Sequence, residues 1–521
     1  MLRKVDEITK DDVCFNGFFD FGQNAYSTLE VELDTDFAEN VEIIVGEVAR
    51  DGHIVHPTNY CTFIQNIMQT GIGHNVLRFN IHAYIPAYGC NPHCPTPPEV
   101  NGEFAPFRYV EVNRHYGKVT VRRTAYYPDW DDSASDFQCS NPVLKKVWDF
   151  CKYSIKAESV FDRYVDGERE RMPYEGDAFI NQLGHFCNDA SYSTARNTID
   201  HFFKYGDFTW PVEWLLLTPM LVRDYWLYSG DNASVARWLP LLDDKLLLDY
   251  LNQDSLLDRQ VYKEKSPNRS LRDIVDWPES EQDGYDFQSV NFVPNAYLYG
   301  ALLAMHELSG NVKYLQLANA QKLAIRRHFL KDGVFVDSLD SSHTALHTAM
   351  FALYFQLCEE VEIDAHRKII LGKGMDCSVY GAQFLLEACF RHGMAEHALS
   401  LMTSSSKRSW LNMMREGATT AMESWGDECK QNQDWTHAWG AAPANIITRC
   451  LCGIRPLKPA FAEFIVAPQP GTLTEFKVRQ MTPKGAIELE WTSTKKTLVV
   501  PPGTTAIYKG HKFTEGIHEL N

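Results

Sequence analysis

No stretch of the 521-residue chain approaches 18 consecutive apolar residues, so no membrane-spanning helix is predicted. The first residues, MetLeuArgLysValAspGluIleThrLysAspAspVal, have a basic start but not the apolar run of a secretory signal, which gives a cytoplasmic reading. Positive charge is scarce: 50 Lys and Arg face 68 Asp and Glu, a net −18. Nucleic acid and anionic membrane are thereby excluded as main partners, because both need a basic footprint. Walker loops, the Rossmann glycine pattern and the Gly-x-Ser-x-Gly elbow are all missing. Cys90-Asn-Pro-His-Cys94 has no second ligand pair at zinc spacing, so neither metal nor cofactor is expected. The 13 cysteines are odd in number, and Cys151, Cys187, Cys358 and Cys389 sit inside apolar patterns. They read as small buried hydrophobes of a reducing compartment.

Aromatics are plentiful, with 12 Trp and 24 Tyr. Their flat apolar faces with polar edges suit sugar rings, so the expected partner is a carbohydrate. The length allows three or four domains. From about 15 to 127 the chain alternates with period two, at 27–33, 41–45, 107–112 and 118–122, between turn signals such as Asp51-Gly52 and Asn101-Gly102. That reads as an N-terminal β-sandwich over 1–134. Helical spacing follows: Asn141 or Ser140 can cap a helix with Pro142 in its first turn, and Leu144, Val147, Trp148, Cys151 and Ile155 share a face. Glycines end helices at Gly230, Gly310 and Gly393. Repeated helical hairpins over 135–456 suggest a central (α/α)6 toroid. Strands return at 464–468, 486–491 and 497–501 in a small C-terminal β domain over 457–521, read as a second sandwich.

The densest polar cluster is Asp166-Gly-Glu-Arg-Glu-Arg-Met-Pro-Tyr-Glu-Gly-Asp177, between two apolar helices. Arg169 and Arg171 flank Glu170, Tyr174 offers a stacking face, and Asp177 opens the next helix at its favourable end. A second cluster, Thr419-Thr420-Ala-Met-Glu423-Ser-Trp425, is followed by Asp434-Trp435-Thr-His437-Ala-Trp439. Between them, Trp210-Pro-Val-Glu213-Trp214 and Asp273-Ile-Val-Asp276-Trp277 each set a carboxylate beside a tryptophan where a helical pattern breaks. One end of a toroid would bring such loops together. His343 and His347 lack the Glu of a zinc-protease helix and read as helix-facing polar residues.

These residues resemble the α-L-rhamnosidases of glycoside hydrolase family 78, inverting enzymes with a six-hairpin catalytic barrel. Phe19-Asp-Phe-Gly-Gln-Asn24 and Phe107-Arg-Tyr-Val-Glu-Val112 are similar to the strands before that barrel. Arg169-Glu-Arg-Met-x-aromatic-x-Gly-Asp177 resembles its acid loop, and Thr419-Thr-Ala-Met-Glu-Ser-Trp425 its base loop. Gly453-Ile-Arg-Pro456 and Ala467-Pro-Gln-Pro470 look like its junction with the C-terminal cap. The resemblance implies Glu170 as general acid and Glu423 as general base, with Arg169, Tyr174, Asp177, Trp277 and His437 lining the sugar site. Asp166 would bind substrate, although it stands one residue closer to the Glu than in the family pattern. Tyr174 and Glu175 replace the family's usual Trp and small residue. Arg171, Trp210, Glu213, Asp276, Trp435 and Trp439 complete the expected substrate-binding set.

In the inverting mechanism Glu170 must hold a proton while Glu423 is ionised and orients water, with carboxyls about 6.5–9.5 Å apart. Direct pairing with an arginine would lower the pKa of Glu170. Arg169 and Arg171 are therefore expected to bind sugar hydroxyls or other acids, leaving Glu170 against a drier wall. Two other readings compete. A uronyl hydrolase or lyase on the same toroid would need a basic clamp, for which Arg169, Arg171 or Arg223 could serve. A non-catalytic protein could bind glycans through its tryptophans.

Overall fold

The computed structural model describes residues 1–56, 61–82, 94–114, 116–205, 210–267 and 270–521. Residues 90–93, most of the Cys90–Cys94 pair considered above, lie outside the described residues.

The N-terminal region is sheet-rich. Leu2–Val13, Gly117–Tyr127, Gly17–Thr35, Ala105–Asn113, Asn40–Gly46 and Phe63–Gln69 pair in that order in a seven-stranded antiparallel sheet, and Gly73–Arg78 pairs with Gly17–Thr35. Alternate residues of these strands (Val31, Val41, Ile43, Val110, Val121) meet in one buried cluster, as a period-two pattern requires. Asp51 and Gly52 both take positive φ, 53° and 77°, in the two-residue turn between Val48–Arg50 and His53–Val55. The sequence reading begins its strands near residue 15 and omits Leu2–Val13. That edge strand is exposed along most of its length, so it lacks the apolar alternation by which a strand is recognised.

Beyond it the chain is helical. Pro142–Glu158 starts where expected: Asn141 Oδ1 accepts from the backbone N–H groups of Val143 and Leu144 at 3.0 and 3.2 Å. From there, helices buried on nearly every face alternate with helices buried on one stripe. The buried set comprises Glu175–Asn188, Val212–Ser229, Phe292–Ser309, Leu346–Tyr354, Val379–Arg391 and Pro443–Ile446. Each packs on the next, and the last packs on the first. The other set, such as Val312–Phe329 and Glu360–Lys373, keeps a polar outer face. An all-apolar helix must be surrounded by protein and an amphipathic one needs a single apolar partner, so the alternation sets the two layers. Gly230 and Gly310 end their helices at φ 73° and 67°, where a side chain would be strained.

The C-terminal region is again sheet-rich. Ile454–Pro456, Glu463–Val466, Thr505–Tyr508 and His511–Phe513 form one sheet. Glu475–Thr482, Gly485–Thr492, Lys496–Val500 and Gly516–Glu519 form another, whose edge strand is Ser135–Cys139. That strand lies in the segment read from sequence as opening the helical domain. Its backbone groups are instead paired with Glu475–Thr482, more than 300 residues along the chain. No helix among the described residues is long and apolar enough to cross a membrane.

Candidate active site

The acid cluster forms a tight loop between Pro142–Glu158 and Glu175–Asn188. Backbone bonds from Asp166 to Met172 (3.0 Å) and from Arg171 to Gly167 (3.2 Å) close it. Gly167 sits at φ 88°, and a Cβ there would lie 2.9 Å from Asp434 Oδ2, so only glycine lets this loop approach the loops that carry Glu423 and Asp434. Those loops are tied to each other by Glu423 N–H to Asp434 O (3.1 Å) and His437 N–H to Ala421 O (2.8 Å).

Arg169 is the hub. Its Nη1 and Nη2 donate to the two oxygens of Glu423 at 3.0 and 3.2 Å, and its backbone N–H donates to Asp434 Oδ1 at 3.2 Å. The same Nη2 lies 3.3 Å from Glu170 Oε1 and 3.9 Å from Asp166 Oδ2. Lys430 Nζ pairs with Glu423 Oε1 at 2.9 Å. Burial pushes the Glu423 carboxyl up, but the charges of Arg169 and Lys430 outweigh it and hold the group down at about 2. Glu158, Asp166, Asp177 and Asp434 are buried beside it and pushed well up, first by desolvation. Among these carboxyls only Glu423 is paired with both cations, so it is held down while desolvation pushes the others up.

His437 Nε2 is 2.7 Å from Asp177 Oδ1, and burial drives its imidazole down to about 3, so it is neutral. Trp439 Nε1 donates to the Glu423 carbonyl at 3.0 Å, and its ring stacks on Tyr380. Tyr174 O–H donates to Glu170 Oε2 at 2.9 Å. Glu170 remains partly exposed, and Arg169 contacts it directly. The expectation of a drier wall clear of arginine is thus corrected: a guanidinium fixed by Glu423 on the adjacent residue necessarily reaches Glu170 as well.

Not every expected residue joins this cluster. Arg171 takes φ 48° and turns towards the N-terminal sheet, where it binds Glu168 at 2.7 Å and Glu103 at 3.3 Å. Glu213 accepts from the backbone N–H groups of Ile274 and Val275 at 3.1 and 2.9 Å, and burial first, then Asp273, raises it to about 8. Asp276 accepts from His347 Nε2 at 2.7 Å and from Ser378 N at 2.9 Å, so it organises the start of Val379–Arg391. Trp435 is buried and donates to Asp427 at 3.1 Å. Trp210 and Trp277 meet edge to face at 6.0 Å, outside the carboxylate cluster. Sequence reasoning passed over Lys430 and Glu158. Lys430 lies in an ordinary polar stretch, and Glu158 ends an amphipathic helix, so neither carries a local signal. Asp434 was noticed only as part of its run.

Glu423, Asp434 and His437 place possible ligand atoms within 4.8 Å of one another. Both Glu423 oxygens already face Arg169 and Lys430, so a metal cation there would meet two positive groups.

Residues 132–451 match the profile of the bacterial alpha-L-rhamnosidase 6 hairpin glycosidase domain, and residues 453–508 that of the bacterial alpha-L-rhamnosidase C-terminal domain. The chain belongs to this family. Among solved structures, a GH78 family rhamnosidase of Bacillus sp. GL1 is similar with a TM-score of 0.76 and 17% identity. That likeness covers 95% of this chain and 53% of the other. An alpha-L-rhamnosidase from Dictyoglumus thermophilum gives 0.75 and 17%, over 96% of this chain and 58% of that one. The Streptomyces avermitilis alpha-L-rhamnosidase, solved with L-rhamnose, gives 0.71 and 15%, over 96% and 50%. This chain thus spans little more than half the length of those rhamnosidases. No curated protein matches the sequence. Within this rhamnosidase-family chain, the matched segment contains both carboxylate loops and the arginine between them.

Proposed function

We propose that this chain is an inverting glycosidase that removes terminal α-L-rhamnosyl residues from glycosides or oligosaccharides, on an (α/α)6 toroid flanked by two β-sandwiches. The carrying observation is that Glu170 and Glu423, from loops far apart in sequence, converge on one nitrogen of Arg169, with Glu423 held ionised. An inverting hydrolase needs such a pair, one carboxyl to protonate the leaving oxygen and one carboxylate to orient water. The shared nitrogen lies 3.2 Å from Glu423 Oε1 and 3.3 Å from Glu170 Oε1, so these oxygens are at most two such lengths apart. That ceiling touches the about 6.5–9.5 Å of inversion and also admits the about 5–5.5 Å of retention. Inversion is taken from the family resemblance and is read by the anomer released. Family membership and the relatives solved with rhamnose support rhamnose as the glycone. The geometry disfavours an acidic glycone. Arg169 is paired with Glu423, Arg171 with Glu168 and Arg223 with Asp224, so none of these three arginines offers an uncommitted guanidinium to an acidic glycone.

The test is hydrolysis of 4-nitrophenyl α-L-rhamnoside by the wild type, Glu170→Gln and Glu423→Gln, with the anomer of the first sugar released read by NMR. Turnover with inversion, reduced on the order of 10²–10⁴-fold in each variant, is expected. Retention, or undiminished turnover in either variant, overturns the reading.

A further inference from the structure

A cavity of about 1050 Å³ opens at the ends of the buried helices opposite the carboxylates, where the helical region meets the C-terminal sheet of Ile454–Pro456 and Glu463–Val466. The two junction segments of the sequence, Gly453-Ile-Arg-Pro456 and Ala467-Pro-Gln-Pro470, both reach it, through Arg455 and Gln469. Ile454 and Pro456 are buried, so the period of the strand turns Arg455 the other way. Its register partner Ile465 lines the same cavity. Tyr299, Leu303 and Phe355, from Phe292–Ser309 and the end of Leu346–Tyr354, give the cavity an apolar lining.

Three other cations of this cavity have acceptors. Arg391 donates to Tyr354 O at 2.7 Å and to Glu387 at 2.6 Å, Lys322 to Gln356 O at 2.8 Å, and Arg223 to Asp224 at 2.8 Å. Contacts to the carbonyls at helix C-termini, such as those at Tyr354 and Gln356, stabilise the helix ends and need no ligand. Arg455 differs, because it comes from a strand and serves no helix end. Among the described residues its side chain makes no hydrogen bond, and no carboxylate oxygen lies within 4.0 Å of it. Its Nε is buried and meets no acceptor there. Glu307, the acid of the lining, is exposed and lies 3.7 Å from Arg223 instead. A guanidinium is always charged, so Arg455 brings to the cavity a full positive charge that no protein acceptor meets.

We infer that this cavity binds a small monocarboxylate with a ring or apolar body, its carboxylate held by Arg455 and its body lying against Tyr299, Leu303 and Phe355. A guanidinium recognises a carboxylate by charge and by paired N–H donors. One uncommitted guanidinium matches one negative charge, which favours a carboxylate over a doubly charged phosphate. The volume is ample for a ring body, since small-molecule sites occupy about 300–1,000 Å³. This site lies apart from Glu170 and Glu423 and does not depend on the glycosidase reading.

The probes are cinnamate and its methyl ester, titrated by calorimetry into the wild type, Arg455→Gln and Gln469→Glu. Wild type should bind cinnamate about tenfold more tightly than the ester, or better. That ratio should fall towards one in Arg455→Gln, and also in Gln469→Glu, which adds a negative charge to the lining. L-rhamnose should not displace cinnamate, because the carboxylate cluster lies at the other helix ends. The ratio is taken within each protein, so a general loss of binding in a variant does not imitate the effect. Gln469→Glu carries the test if Arg455→Gln fails to fold. Absence of cinnamate binding at millimolar concentration, or equal affinity for acid and ester in the wild type, would overturn the inference. A preference for the acid that survives in a folded variant, or displacement by L-rhamnose, would overturn it as well.

Discussion

Glu423 and Asp434 are both buried against Arg169, yet Glu423 is held ionised and Asp434 is driven towards its protonated form. The difference lies in which donors each one reaches: Glu423 takes both guanidinium nitrogens and the Lys430 ammonium, whereas Asp434 takes the Arg169 backbone N–H. Lys430 is therefore a positioning residue for the charge on Glu423, the proposed base. Lys430→Met should move the acidic limb of the kcat/KM profile to higher pH by about one unit, with little change in the basic limb. A purely structural role would lower activity evenly across pH. The depressed Glu423 also contributes to stability. Its carboxyl lies below the ordinary 4.5, so the contribution is complete above about pH 4.5 and is lost as pH falls through about 2.

At the level of elements, the site is assembled by the N-terminal ends of buried helices and the loops that lead into them. Asp276 shows how. Its carboxylate accepts from the backbone N–H and the hydroxyl of Ser378, which caps Val379–Arg391, and from buried His347 in Leu346–Tyr354, and so joins two helices to the Trp277 loop. Asp276→Ala would leave those donors unpaired in a dry setting, at a cost of about 3–5 kcal/mol. The expected outcome is a clear drop in melting temperature together with weaker substrate binding as Trp277 loses its support. Asp276→Asn, which keeps an acceptor, should recover most of the stability. Gly176 meets a similar constraint, since a Cβ there would come 2.7 Å from the Trp214 ring.

Over the whole molecule, the N-terminal sheet is joined to the base loops by a buried polar cluster. Asn24 N–H donates to Thr419 Oγ1 at 2.8 Å, and Glu47 accepts from Asn24, Thr62 N and Thr436. Burial raises the Glu47 carboxyl to about 7, despite those hydrogen bonds. A carboxyl raised in the folded state is ionised in the unfolded chain first, so stability falls as pH rises from about 4.5 to 7 and is level beyond. The total is about 3 kcal/mol. Glu47→Gln should remove this slope, whatever constant offset the changed hydrogen bonds introduce. Melting temperatures of both proteins across pH 4 to 8 would show it, and parallel curves would contradict it.

Much of this was legible along the chain. Alternating residues at 27–33 and 118–122 specified strands with one dry face, Asn141-Pro142 specified a helix start, and the polar loops at 166–177 and 419–439 marked themselves by carboxylates beside aromatic residues. These are local properties: a side-chain period, a capping oxygen, a cluster of charge. What the chain could not show locally is which of those groups meet. Arg169 and Arg171 stand two residues apart with the same side chain, but a left-handed backbone at Arg171 sends one to Glu423 and the other to Glu103. Glu213 and Asp276 look like site carboxylates in sequence and are consumed by backbone N–H groups in the fold. Lys430 and Glu47 look ordinary in sequence and become important through residues hundreds of positions away or across a loop. Sequence by itself determined the element types, the family and the two carboxylate loops, because periodicity and composition act over a few residues. Only the tertiary structure decided which carboxyl is held ionised and which acid each arginine pairs with, because charge and desolvation depend on neighbours in space.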